Sequence, residues 1–223
     1  MGTHLKALAS RTNPETVALF PLSGTVLLPG CDLPLNIFEP RYLNMIDDAL
    51  KGDRLIGMVQ EFEDGNFTKV GGLGRIIQFA EMEDGRYMIV LRGLKRFHLG
   101  AVTKEAKPYM QANISYTGFE ADIDVHEDTQ TPEALSALKG ERGALTMAMK
   151  SYAKTLGVRL DWDNLKQIPL DRLVDQAAMI SPFGLDDKQS LLEAKTHEDR
   201  RRLLIGLMHL YSDTPDGDSG TIQ

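Results

Sequence analysis

The chain has 223 residues, 42% hydrophobic and 26% charged, with a formal net charge of −7. That length supports a core without staples, and the acidic balance argues against a partner recognised by neutralising phosphates, so nucleic acid is disfavoured. One cysteine, Cys31, excludes an intramolecular disulfide and a cysteine metal cluster, and it suits a reducing, cytoplasmic setting.

Residues 1–15 read as a flexible arm closed by Asn13-Pro14, with no apolar core of a secretory signal. No run approaches the roughly 20 apolar residues of a membrane span. Residues 16–125 are strand-like and form a β-rich subdomain. The run from Phe20 to Tyr42 is the most informative part: Phe20-Pro21-Leu22, then Val26-Leu27-Leu28-Pro29-Gly30, then Leu33-Pro34-Leu35-Asn36-Ile37-Phe38-Glu39-Pro40-Arg41-Tyr42. Proline cannot donate to a sheet ladder and is held to edges, strand starts and bulges. The run therefore predicts short, broken strands at the rim of a sheet or barrel. Pro40 then opens a helix that reaches Lys51, with Tyr42, Met45, Ile46 and Ala49 at helical spacing. Further strands are expected at residues 55–59 and at 71–79, the latter loosened by Gly71, Gly72 and Gly74. Asp84-Gly85 marks a hairpin turn, and residues 87–91 the return strand. Gly93 is expected to break that strand before residues 95–99, and residues 109–116 supply the last one.

Residues 126–212 read as a helical subdomain, entered through an acidic break and the start signal Thr131-Pro132-Glu133. Helices are expected at about 132–156, 161–167, 170–181, 186–194 and 197–211. Asp186 with Gln189, and Thr196 with Asp199, have the spacing of capping boxes. The polar tail, 213–223, is expected to be disordered.

Few residues carry a chemical signature. Gly71-Gly72-Leu73-Gly74-Arg75 lacks the Gly-Lys-Ser/Thr end of a phosphate-binding loop, and strand bends account for its glycines. There is no Gly-x-Ser-x-Gly elbow, and a lone cysteine is most often a small buried hydrophobe. Asp122, Asp124, His126, Asp128 and Glu133 have calcium-loop offsets, but Glu127 stands where a glycine is needed. Neither a metal nor a cofactor is expected. Arg92, Lys95, Arg96 and His98 are the densest cations of the β half, and strand alternation splits them between two faces. Arg200, Arg201 and Arg202 are expected to pair with acidic neighbours on their own helix. The apolar faces holding Met147, Met149, Leu207 and Met208 read as helix-to-helix packing.

The Phe20–Tyr42 motif resembles the start of the LON domain, the amino-terminal substrate-recognition domain of Lon-type ATP-dependent proteases. Val70-Gly71-Gly72-Leu73-Gly74, Gly93-Leu94-Lys95-Arg96-Phe97, Leu173-Val174-Asp175-Gln176-Ala177-Ala178 and Asp187-Lys188-Gln189-Ser190-Leu191-Leu192-Glu193 extend the likeness to about Tyr211. The resemblance implies an α+β fold, with a β-rich, PUA-like pseudobarrel followed by a C-terminal α-helical bundle. It implies a free-standing, non-enzymatic module, because the ATPase motifs and the Ser-Lys protease dyad of full-length Lon are absent from this sequence. Its implied partner is unfolded or tagged polypeptide, alongside a protease or chaperone. The candidate polypeptide-binding rim comprises Pro21, Leu22, Leu28, Pro29, Leu33 and Pro34, with the cleft between subdomains as a second location. Phe38, Glu39, Pro40, Arg41 and Tyr42 are read as structural, Phe38 as core and Arg41 as a tie to a strand carbonyl or an acidic partner. RNA binding, which a PUA-like architecture permits, is the alternative.

Overall fold

The computed structural model describes residues 13–103, 107–123 and 132–213. Its strands are β1 (Thr16–Pro21), β2 (Asp32–Ile37), β3 (Leu55–Val59), β4 (Val70–Glu81), β5 (Tyr87–Thr103) and β6 (Gln111–Ser115). They form one sheet in the order β2-β5-β4-β3-β1-β6, and β6 pairs back onto β5. β1 and β3 run parallel; the other pairings are antiparallel. Five strands thus close into a ring, and β2 is an extra strand carried by the first part of β5.

The closure depends on β5, which is one strand of 17 residues rather than two pieces broken at Gly93. Its first part pairs with β2 and its last part, from His98, with β6, while β4 runs along it from Tyr87 to His98. Gly93 serves a different purpose. A Cβ there would lie 2.1 Å from the Leu28 carbonyl oxygen, and one on Gly72 would lie 2.2 Å from that of Leu27. Residues 27–28 cross directly over the sheet backbone, an approach only glycine permits.

Helix α1 (Pro40–Lys51) begins at Pro40, where the missing N–H costs nothing, and buries Tyr42, Met45 and Ile46. These pack with Phe20, Leu27, Ile37 and Leu91 in one core cluster, and the Phe20 and Tyr42 rings meet edge-on at 4.6 Å. A second cluster gathers Val17, Leu19, Leu73 and Phe97 from the ring strands.

The chain divides into two compact units, and the first includes Met179–Glu193 together with the sheet. Helix α5 (Leu185–Glu193), grouped by sequence with its helical neighbours, packs instead with the strands. Gln60 Nε2 donates to Gln189 Oε1 at 3.0 Å, Gln189 Nε2 donates to the Val70 carbonyl at 3.1 Å, and Arg96 Nη1 donates to the Leu192 carbonyl at 3.0 Å. The expected Asp186–Gln189 box does not form: Asp186 lies within the first turn, and Gln189 is used by the sheet.

The second unit holds α2 (Pro132–Thr155), α3 (Trp162–Leu165), α4 (Leu170–Ile180) up to Ala178, and α6 (His197–Asp213). Leu145, Met149, Tyr152, Leu173, Val174, Leu204 and Met208 form its buried apolar interior. Asp161 caps α3 through the Asn164 N–H at 3.1 Å. Thr196 caps α6: its hydroxyl accepts from the Asp199 N–H at 3.0 Å and donates to the Asp199 carboxylate at 2.7 Å. Arg202 of the arginine run pairs within its own helix, with Glu198. Arg201 reaches Glu141, and Arg200 is buried against Asp175 at 2.8 Å. Burial holds the Asp175 pKa above the usual carboxylate value, with Arg200 opposing. Among the described residues no helix is long and apolar enough to cross a membrane. The fold is α+β, a β-rich pseudobarrel followed by a helical bundle. Residues 1–12 of the expected arm and 214–223 of the expected tail lie outside the described residues.

Candidate functional site

β2 is where the sequence punctuation has its structural effect. Among the described residues it pairs only with β5, so its other edge is open. The Gly93 N–H donates to the Cys31 carbonyl at 2.9 Å, which sets the ladder alternation. The amides of Leu33, Leu35 and Ile37 then point at β5, and those of Asp32 and Asn36 point outward with the nitrogen of Pro34. Proline is tolerated here because that nitrogen needs no ladder partner.

Side chains alternate as well. Leu33, Leu35 and Ile37 turn toward the core, while Asp32, Pro34 and Asn36 are exposed. The next residue on the exposed side is Phe38, 65% exposed. Across the register, Pro34 opposes Val90 and Asn36 opposes Met88, itself 40% exposed and paired on its other side with exposed Ala80. The result is an apolar face of exposed Pro34, Phe38, Met88 and Ala80 with half-buried Val90, beside an open strand edge. Such contiguous patches mark interaction surfaces more often than scattered apolar residues do.

The three arginines around this face are already paired. Arg92 grips both Asp32 oxygens at 2.5 Å, and that carboxylate raises the Arg92 pKa. Arg86 pairs with Asp84 at 2.8 Å in the hairpin turn. Arg41 pairs with Glu39 at 2.8 Å and stacks over the Tyr42 ring at 4.5 Å. Arg41 therefore joins an acidic neighbour two residues away and, among the described residues, makes no tie to a strand carbonyl. Burial raises the Tyr42 pKa.

The six rim residues do not form one surface. Leu28 is 0% exposed and Pro21 is buried, since both lie where the chain packs on β3, β4 and β5. Leu22 is half-buried, its N–H donating to the Val59 carbonyl at 2.9 Å. Pro29 is half-buried and Leu33 faces inward, which leaves Pro34 as the one exposed member. Phe38, read as core, is the corrected residue in the other direction. Its signal was available: with Ile37 inward, period-two alternation puts the next side chain out.

The cations of β5 are not a nucleic-acid platform. Lys95 is 1% exposed, bonded to Asn13 and stacked over the Tyr116 ring at 4.2 Å. Arg96 is buried with Asp122, whose carboxylate also accepts the Arg96 backbone N–H at 2.8 Å. Burial pulls the Lys95 pKa down. Another buried cation, Lys188 on α5, donates to the Met179 carbonyl, and burial pushes its pKa down to about 8. Asp122 is thus committed to Arg96. The other acidic residues of the calcium-like spacing lie outside the described residues or have no described side chain. Among the described residues no acidic, histidine and cysteine group is placed to hold a metal.

The family pattern of the ATP-dependent protease La (LON) substrate-binding domain matches residues 16–209. The Lon protease of Cytophaga hutchinsonii is 26% identical over 208 residues, covering 87% of this chain and 24% of the relative. That of Flavobacterium johnsoniae is 35% identical over 108 residues, covering 45% of this chain and 13% of the relative. The chain therefore spans about a quarter or less of these curated relatives. Among solved structures, the N-terminal domain of Mycobacterium avium complex Lon protease superposes with a TM-score of 0.60 at 20% identity, covering 87% of this chain and 98% of that one. The Lon N-terminal domain protein from Xanthomonas campestris gives 0.56 at 22% identity, covering 90% and 99%.

Proposed function

This chain belongs to the family of Lon substrate-binding domains, and from that membership we propose that it is a non-enzymatic module for binding unfolded or tagged polypeptide. Its role is accessory to cytoplasmic protein quality control or proteolysis, with a protease or chaperone as partner. The observation that carries the reading is Phe38, 65% exposed within an apolar face beside an unpaired strand edge. A client segment in extended form adds to β2, taking the outward amides of Asp32 and Asn36 and the carbonyls between them. Its side chains on one face then cover Phe38, Met88 and Val90. Pro34 interrupts the row of donors, which favours a short client contact over indefinite strand stacking.

The test is fluorescence anisotropy with a labelled model protein, denatured and native, and with labelled RNA. Micromolar binding of the denatured form alone is expected. Phe38→Ser should weaken it about tenfold, the equivalent of one partly reburied aromatic. Equal binding by Phe38→Ser would remove the β2 face from the reading. Binding of RNA alone would replace polypeptide with nucleic acid.

A further inference from the structure

The helical unit contains a pocket that the polypeptide reading does not use. Its volume is about 180 Å³, smaller than the roughly 300 Å³ at which drug-sized sites begin, and suited to a body the size of one amino acid. Met149 and Leu173, both buried, and Leu165 and Trp162, both half-buried, give it apolar walls.

Three cations and Thr146, whose hydroxyl donates to the Arg142 carbonyl at 2.8 Å, complete the lining, in a chain whose net charge is −7. Arg142 and Lys150 are eight residues apart on α2 and share a helix face. The Arg142 guanidinium donates to the carbonyls of Leu165 and Ile168, which ties the end of α3 to α2 and fixes a positive charge in the wall. Lys150 is exposed, sits 5.4 Å from the Trp162 ring centroid, and forms no ion pair with a described residue. Lys166 bonds Asp163 at 2.8 Å, with side chains 69% and 92% exposed. A pair so open to solvent exchanges readily with a competing carboxylate.

Apolar walls with cations at the mouth are complementary to one kind of guest. We propose that this pocket binds a small carboxylate with an apolar body. The body fills the space between Met149, Leu165, Leu173 and Trp162, and the carboxylate meets the Lys150 and Lys166 ammonium groups. A free acid has this chemistry, and so does the carboxy-terminal residue of a polypeptide. The inference is independent of the β2 surface: a chain that ignores denatured protein can still bind this guest.

Trp162 is the only tryptophan in the sequence, so its emission reports on the pocket directly. The full chain is titrated with N-acetyl-leucine and with its amide, and then with a leucine-terminated peptide as free acid and as amide. A saturable change with the acid is expected, about tenfold weaker for the amide and for Lys150→Gln, as for the loss of one charge-assisted hydrogen bond. Lys150 is exposed, so Lys150→Gln should retain the far-ultraviolet circular dichroism of the parent, and Lys166→Gln is the second variant. Binding of both free acid and acid-terminated peptide assigns the site to carboxy-termini as well as small acids; binding of the free acid alone assigns it to small acids. No saturable change, equal binding of acid and amide, or unchanged affinity in both variants overturns the proposal.

Discussion

Two stretches of β5, one at each end of its core-facing part from Tyr87 to Phe97, treat side chains in opposite ways. Toward Tyr87 the strand leaves Met88 exposed, next to Phe38 and an open edge. Beyond Gly93 it buries Lys95 and Arg96, and α5 adds buried Lys188 to the same unit. An apolar group left outside costs a fold little. A charge kept inside costs several kcal/mol unless its partners are in place. The first end is therefore free to vary with what it binds, and the second is fixed by what it must satisfy.

Removing a partner at the charged end should have the largest effect. Asp122→Ala leaves the Arg96 guanidinium buried without its carboxylate, and should cost about 3–5 kcal/mol in denaturant unfolding. A loss under about 1 kcal/mol would show that the two ends do not differ in kind.

Lys188 offers a milder perturbation. Folded, it holds its proton with a pKa of about 8, against 10.5 for the free side chain. Between those values the unfolded chain binds the extra proton, so stability should rise as pH goes from about 8 toward 10. The gain is at most about 3 kcal/mol. Lys188→Met should flatten the profile over that range; an unchanged slope would mean that the ammonium is not desolvated.

At the junction of the two ends, Gly93→Ala should destabilise by about 1–3 kcal/mol, because the new methyl meets the Leu28 carbonyl rather than a yielding side chain. A smaller change would indicate that residues 27–28 lift away without cost. The smallest effect belongs to the apolar end. Phe38→Ser should alter stability by no more than about 0.5 kcal/mol. A large loss in thermal unfolding would reclassify Phe38 as part of the core and sharpen the contrast away.

What could be read in the sequence follows the range of each interaction. Pro40 opening α1, the Thr196 cap of α6 and the Asp84-Gly85 turn are local chemistry, and the structure has all three, with Gly85 at a φ of +82°. The two halves of the fold, strands then helices, were legible for the same reason. Arg96 and Arg200 were not, because their carboxylates stand 26 and 25 residues away. Gly93 reads as a break in any single strand, and its actual constraint is a second segment crossing over it. The site was only half legible. Proline marked β2 correctly as an edge, but residue type put Phe38 inside and Leu28 outside, whereas alternation and packing decide the reverse.

The closed ring also imposes an order on synthesis. Thr16 on β1 meets Asn113 on β6, a partner 97 residues later. At roughly 5–20 residues per second, β1 waits on the order of 5–20 seconds on the ribosome for that neighbour. Its apolar residues Val17 and Leu19 are unsheltered by β6 for that time, so the nascent chain itself displays an aggregation-prone strand until the ring can shut.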